Sequence, residues 1–284
     1  STSGDSFDAM AVDPFSSSTT ILAVATDSSG AQLLSEIYRN TAVRTGGSWS
    51  KVFSLANWNT ATGRADDKLT VYDIRATIAA SGIYYAFALG FNSGTGLSYG
   101  AMIHTHNGGT NWTVSADALT ILTISAGQRN ALLCYAYSDG LASPEEFRNN
   151  VADHHVWTTV ASKGEGGFIQ APYDPDRTDD SEVFIVSSGG VDRSVDFGVT
   201  WADWGVAGNG SADLRFSPRD PDTSWQLSTS TLYRSTNRAV SFSTVALPVA
   251  GLYRDGSLMG TNTLVLVRGV TGTTNRVLST DDWG

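Results

Sequence analysis

Two stretches of this chain set an acid and a guanidinium two residues apart, Tyr72-Asp73-Ile74-Arg75 and Ala212-Asp213-Leu214-Arg215. In an extended strand residues i and i+2 project to one side, so each Asp shares a face with its Arg. Ser6-Phe7-Asp8-Ala9 and Leu252-Tyr253-Arg254-Asp255 bring further charge to similar settings. Asp8, Asp73, Arg75, Asp213, Arg215 and Arg254 are therefore the ligand-binding candidates. Two readings suit them: a polar surface that takes a glycan or a protein loop, or Asp and Arg pairs that satisfy one another and hold strands in register. Glycoside hydrolysis by carboxylates needs two acids at a separation that sets the stereochemical course. Most remaining Asp residues sit in turns, Asp13, Asp174 and Asp220 in Asp-Pro turns among them, so no catalytic residue is assigned.

Other residues able to do chemistry are sparse. His104 and His106 share one strand face, whereas His154 and His155 are adjacent and point to opposite sides of any strand. Neither spacing supplies the three or four convergent ligands of a zinc site. Asp174-Pro-Asp176-Arg-Thr-Asp179-Asp180 clusters carboxylates in a loop and is the one stretch suited to calcium, although it lacks the positional pattern of a dedicated calcium loop. No other cofactor is expected. The single cysteine, Cys134, lies in an apolar run and reads as a small buried hydrophobe. Asn111-Trp112-Thr113 and Asn209-Gly210-Ser211 match the glycosylation triplet, which is common by chance.

These residues must be positioned by many short strands. Apolar residues make up 41% of the 284 residues and charged residues only 16%, with abundant Gly, Ser and Thr, a balance that favours strands and turns over helices. Net charge is −10, with 15 Arg against 3 Lys, so a phosphate backbone is repelled and nucleic acid is not an expected partner. No run of about 18 apolar residues predicts a membrane span. The first residues, Ser1-Thr-Ser-Gly, show neither an initiator Met nor a signal-like apolar core, as expected of a mature or excised form. The Gly-rich stretch Gly90 to Gly100 reads as an elongated hairpin. Ser143-Pro144-Glu145-Glu146-Phe147 reads as a short helical turn, a cap residue followed by Pro and acids.

A repeat organises the strands. Ser194-Val-Asp196-Phe-Gly198-Val-Thr200-Trp201 has copies at Thr105-His-Asn107-Gly-Gly109-Thr-Asn111-Trp112 and Ser235-Thr-Asn237-Arg-Ala239-Val-Ser241-Phe242. Degenerate copies stand at Ala42 to Trp49 and Asn150 to Trp157. Tyr38-Arg39-Asn40 and Phe147-Arg148-Asn149 before them echo Tyr233-Arg234-Ser235. A sixth start, Ser279-Thr280-Asp281, would place its aromatic two positions past the last residue. Intervals of 63, 45, 44 and 41 residues between the closing aromatics match the period of propeller arrays. In each box the hydroxyl and the Asx side chain bond backbone inside a tight loop, Gly supplies a φ that other residues avoid, and the aromatic turns back into packing.

On these motifs the chain resembles the Asp-box (BNR-repeat) β-propellers, the architecture of sialidases, xyloglucan-active glycosidases and sortilin-type receptors. The resemblance implies an all-β propeller of four-stranded antiparallel blades, six by the box count with seven as the alternative. It implies a single domain over residues 1–284, its last blade completed by the N-terminal segment or by residues beyond the chain. It also implies that Thr105, Asn107, Gly109, Trp112, Ser194, Asp196, Gly198, Thr200, Trp201, Ser235, Asn237 and Phe242 are structural, with ligands taken by the first strand of each blade. Sialidase chemistry would need an arginine cluster, a Tyr activated by Glu and an Asp acid; the Arg-Ile-Pro signature of that family's first blade is absent.

The expected function is noncatalytic recognition of a glycan or protein surface, with the protein extracellular, on a cell surface or on a virus particle. A glycoside hydrolase of sialidase or xyloglucanase type and a self-assembling structural subunit are the alternatives.

Overall fold

The computed structural model describes residues 5–13, 20–27, 34–42, 47–77, 79–115, 121–138, 145–149, 158–160, 167–187, 190–206, 213–217, 220–227, 231–245, 252–259, 263–270 and 273–280. The chain forms two compact units, Ser1–Thr159 and Val160–Gly284.

In the first unit, β1 (Asp5–Val12), β2 (Ile21–Asp27), β3 (Leu34–Asn40) and β4 (Ser50–Phe53) pair in order as one antiparallel meander. Helix α1 (Leu55–Thr62) leads to a second meander of β5 (Lys68–Ala76), β6 (Tyr84–Asn92), β7 (Leu97–Thr105) and β8 (Thr113–Val114). A single parallel pair, Leu34 with Leu69, links the two. A third sheet holds β9 (Ile121–Ala126), β10 (Cys134–Ser138), β11 (Glu145–Asn149) and β12 (Thr158–Val160). The second unit repeats the order with β13 (Gly167–Gln170), β14 (Val183–Ser187), β15 (Gly190–Ser194) and β16 (Ala202–Gly205). There follow β17 (Asp213–Phe216), β18 (Ser224–Leu227), β19 (Leu232–Ser235) and β20 (Ser243–Val245), then β21 (Leu252–Met259), β22 (Thr263–Val270) and β23 (Thr273–Thr280). Asp5 and Ser6 pair with Asp27 and Thr26 in the first sheet. Among the described residues β23 has β22 as its sheet neighbour.

The central strands explain why sheets stack. β6 is buried over Tyr84 to Ala88, and its alternation divides those side chains between two cores. Tyr84, Ala86 and Ala88 pack with Leu22, Val24 and Ile37 of the first sheet; Tyr85 and Phe87 pack with Ile124, Cys134 and Ala136 of the third. In the second unit Phe184 and Val186 of β14 pack with Leu214 and Phe216 of the next sheet. Each Val, Leu, Ile or Phe among them contributes about 1.5–3 kcal/mol by leaving water, which neither face of a lone meander could secure.

The box loops are built alike. The first hydroxyl bonds the Asx Oδ1, Thr105 to Asn107 at 3.0 Å, Ser194 to Asp196 at 2.8 Å and Ser235 to Asn237 at 2.8 Å. That hydroxyl also accepts from the N–H four residues on, at Gly109 (3.1 Å), Gly198 (2.8 Å) and Ala239 (3.0 Å). The Asx oxygen accepts from the N–H of Asn111, Thr200 and Ser241 at 2.9, 2.8 and 3.0 Å. Two consecutive residues take positive φ in each loop, and where Phe197 (61°), Arg238 (58°) and Ala239 (61°) occupy those positions the side-chain hydrogen bonds offset a cost of about 1–2 kcal/mol per residue. The N–H of Gly108, Phe197 and Arg238 then donates to the carbonyl of Gly82, Ser181 and Asp222, tying each loop to the turn between the first two strands of its own sheet.

Register corrects the alignment of the weak first box. Thr105, Ser194 and Ser235 each lie opposite the first residue of their second strand, and Asn40 does so in the first sheet, opposite Ile21. Asn40, not Ala42, is the box opener there. Its side chain takes over the turn, donating to Gly47 O at 2.6 Å and accepting from Ala42 N at 2.9 Å. Asn149, opposite Cys134, holds the same place in β11.

Two local expectations meet different ends. The Gly90 to Gly100 stretch is the elongated hairpin of β6 and β7, turning at Ser93 to Gly96. The helical turn expected at Ser143 to Phe147 is replaced over Glu145–Asn149 by β11, whose ladder with β10 satisfies backbone groups that a single helical turn would leave open; Ser143 and Pro144 lie outside the described residues. Helix α1 was unforeseen, though Ser54 before it and Gly63 after it, at φ 66°, are start and stop signals. Its Trp58 is wholly buried and donates Nε1–H to Asp66 Oδ2 at 2.8 Å. Arg64 forks onto both Asp66 oxygens at 2.9 and 3.0 Å and lies over the Tyr99 ring.

Candidate functional site

The first strands share a ruler. At the end of β1, β5, β9 and β17 the N–H of Asp13, Thr77, Gly127 and Ser217 donates to Thr20, Ile83, Leu133 and Thr223 O, at 2.9, 3.3, 2.8 and 2.8 Å. Five residues before that anchor, β1, β5 and β9 each carry one extra residue that has no partner on the second strand: Asp8, Tyr72 and Leu122. β21 has the same irregularity at Arg254. Such bulges re-aim the chain locally and increase its twist.

This ruler sorts the sequence candidates. Asp73 and Asp213 occupy one position, four residues before the anchor, and Arg75 and Arg215 another, two before it. Asp8 does not match Asp73; it matches Tyr72. Arg254 is likewise a bulge residue, with Asp255 after it in the relation that Asp73 bears to Tyr72. For Asp8, Asp213 and Arg254 the structure describes the backbone alone.

Around β5 the geometry is complete. Asp73 Oδ2 accepts from Arg75 Nε at 3.0 Å, and its Oδ1 accepts from the N–H of Ile74 at 2.9 Å. The Tyr72 ring stacks on Phe87, centroids 5.8 Å apart and planes at 25°, and remains 49% exposed. Phe87 is buried between the second and third sheets, so the Tyr72 ring rests on a fixed base. Tyr72 was not singled out from sequence, because alternation assigns faces only while register is unbroken.

Among the described residues of the second unit, a cluster of charge lies elsewhere. Glu182, nearly inaccessible, accepts from Arg193 Nε at 2.5 Å and from Arg238, which also binds Asp174. Arg193 lies over the Trp204 ring at 4.2 Å, and Trp204 Nε1 donates to Arg238 O at 2.7 Å. Burial pushes the Asp174 carboxyl up, but the Arg238 hydrogen bond, the Asp176 N–H and the nearby guanidinium charges outweigh it and hold the group below its usual range. Burial similarly opposes the Arg238 charge, and its bonds to Glu182 and Asp174 more than offset that. Asp174, held ionised in this way, is a poor proton donor at neutral pH.

The loop suited to calcium has these partners: Asp174 Oδ1 accepts from Asp176 N, and Asp179 Oδ1 accepts from both N and Oγ of Ser181, at 2.9, 3.1 and 2.6 Å. Among the described residues no three His, Cys, Asp or Glu side chains converge on a metal-sized space. His104 and His106 pack ring against ring at 5.1 Å, while His154 and His155 lie outside the described residues. Cys134 is buried, which pushes its thiol up. Of the Asp-Pro turns, Asp220 bonds within its own turn, whereas Asp13 Oδ2 reaches the next sheet and accepts from Ser81 Oγ at 2.8 Å and Gly82 N at 3.0 Å. Among the described residues no helix is long and apolar enough to cross a membrane.

No protein-family model matches the chain, and no curated protein matches its sequence. Solved structures do match its shape. YCF48 bound to D1 peptide aligns at TM-score 0.56 and 14% identity, over 92% of this chain and 75% of that one. An ancestral GH74 enzyme aligns at TM-score 0.58 and 15% identity over 95% of this chain, which spans only 35% of the enzyme's length. TolB from Acinetobacter baumannii aligns at TM-score 0.52 and 13% identity, over 92% of this chain and 66% of that one. With the antiparallel four-stranded sheets, these likenesses show that the chain has the β-propeller fold.

Proposed function

We propose that this chain is a noncatalytic recognition propeller whose ligand, a glycan or a protein surface, is taken by the first strands of its sheets. Its repeated loops are Asp-boxes of the BNR type, and it works extracellularly, on a cell surface or on a virus particle. The observation that carries the reading is the state of the carboxylates: Asp73 is spent on Arg75, and Glu182 and Asp174 converge on Arg238. An acid and a base working across a glycosidic bond need room for substrate between them; acids clamped onto an arginine leave none there. A propeller neighbour seen with a bound peptide supports the recognition reading, while the GH74 neighbours keep the hydrolase reading worth excluding. Calcium at Asp174, Asp176, Asp179 and Asp180 would have to displace the bonds described, and is no part of the proposal.

The test is binding and turnover measured together. The labelled full chain is applied to glycan and peptide arrays, and each glycan is assayed for release of reducing ends. Retention without turnover, weakened by Asp73→Asn or Arg75→Ala, is expected. Turnover abolished by Asp73→Asn or Asp213→Asn would overturn the reading, and sedimentation of the free chain as a large homo-oligomer with no retention would replace it with self-assembly.

A further inference from the structure

Resting on that recognition reading, the geometry around β5 points to a narrower ligand: we propose that Tyr72, with Asp73 and Arg75 beside it, is a subsite for one uncharged pyranose ring. The bulge assembles it. Directly paired residues share a face, and Asp73 lies opposite Phe87 and Arg75 opposite Tyr85, both of which pack toward the third sheet. Val71 and Ile74 pack instead into the core shared with the first sheet. The extra residue of the bulge lets two consecutive side chains, Tyr72 and Asp73, take the Phe87 face, where strict alternation would send one of them away. Ring, carboxylate and guanidinium therefore stand together on one face of β5.

Shape and charge select the occupant. Tyr72 lies nearly flat on Phe87, which covers one face of its ring and leaves the other toward solvent. The negative face of that ring suits the weakly positive C–H face of a pyranose, and little ordering is needed on binding because Phe87 already holds it. Asp73 and Arg75 neutralise each other at 3.0 Å, so the pair carries no net charge to draw a lysine or a carboxylate. Both still reach solvent and present acceptors and donors to hydroxyls at the rim of a sugar. A peptide added as a further strand fits poorly. Past Leu69 no described strand flanks β5 on the side away from β6, but the bulge interrupts the regular row of backbone groups that an added strand would bond. A neutral ring with an apolar face and a hydroxyl rim meets all of these conditions.

Methyl glycosides of glucose, galactose and mannose, with those of glucuronic and sialic acid as charged probes, are titrated into the full chain and followed by saturation-transfer NMR, alongside the glycan and peptide arrays above. Transfer should reach the C–H groups of a neutral glycoside and should not change with salt. Tyr72→Ala should weaken binding about 10-fold, the loss of one good anchor. Tyr72→Leu keeps apolar packing on Phe87 without a flat face and should weaken binding as much, which separates the loss from unfolding. Tyr72→Phe should stay within about twofold of wild type because the ring keeps its place, and Lys51→Ala, on β4, should bind as wild type. No transfer to any neutral glycoside, transfer indifferent to Tyr72→Leu, or a preference for the charged probes that fades with salt overturns the inference. Retention of a peptide or of another glycan in any of those cases leaves the recognition reading in place. Retention of neither, or turnover of a bound glycan, defeats the recognition reading itself.

Discussion

Arg238, carried by the box loop between β19 and β20, binds Glu182, the buried residue that leads into β14 of the preceding sheet. The same loop seats its Ala239 and Val240 carbonyls against Gly205, where any side chain would collide with them. A local fastener of one sheet is thus the clasp that holds the sheet before it.

Replacing Arg238 by Met keeps much of the stem but leaves Glu182 with Arg193 alone and takes away the guanidinium bound to Asp174. Breaking a buried pair from one side costs about 3–5 kcal/mol, and urea unfolding of Arg238→Met should show a loss of that order. Adding Glu182→Gln and Asp174→Asn to that variant should recover a large part of it. A loss below about 1 kcal/mol, the range of surface ion pairs, would mean that the clasp is solvated.

The same cluster sets an acid limit. Asp174 titrates lower in the folded protein than the value of about 3.9 for an unfolded Asp. Its contribution is therefore fully present above that unfolded value and is lost as pH falls through the folded one. The stability difference between wild type and Asp174→Asn should be constant from pH 7 to 5 and shrink toward pH 3. Asp196, lowered by its hydrogen bonds from Thr200, adds to wild-type acid sensitivity in the same direction.

Within a box the hydroxyl matters more than the acid's charge. Ser194→Ala removes the bonds to Asp196 and from Gly198 and should cost about 1–2 kcal/mol. Asp196→Asn should cost less, since Asn107 and Asn237 make the same backbone bond and the new amide can donate to the Thr200 hydroxyl as Asn237 Nδ2 donates to Ser241 Oγ at 2.9 Å. Thermal melts of the two variants rank them, and the reverse order would show that the loop depends on charge.

Gly90 is the most sensitive position of the elongated hairpin. A Cβ there would press into Asp66 Oδ2 and Trp58 Nε1, both fixed by their own hydrogen bond. Gly90→Ala should destabilise by at least about 1–3 kcal/mol, the usual scale for overpacking. Trp58→Phe removes the indole donor while leaving most of the packing, and should relieve part of the Gly90→Ala penalty when the two are combined.

Much of the fold is legible in the chain because it is local. The box spacing, the Asp-Pro turns and the alternation of strands such as Glu182 to Ser187 each depend on residues within a few positions of one another. The echo of Tyr233-Arg234-Ser235 in Tyr38-Arg39-Asn40 sets Asn40 level with Ser235, a signal that the alignment at Ala42 passes over and that register restores. Helix α1 escaped notice because it is held less by its own sequence than by Trp58 burying itself against Asp66 and Tyr99.

The candidate site was legible in composition but not in arrangement. Asp73 and Arg75 do meet, as their spacing required. The matching of Asp8 with Tyr72, and the clasp of Arg238 on Glu182 across 56 residues, were not readable. By itself the sequence determined the repeated loop and the Asp73–Arg75 pair, since contacts within eight residues specify them, and the strand order, since within each meander a strand pairs with the next along the chain. Only the tertiary structure decided where each first strand bulges and which carboxylate each arginine takes, because a bulge is defined against the neighbouring strand and an ion pair by whichever sheet is packed beside it.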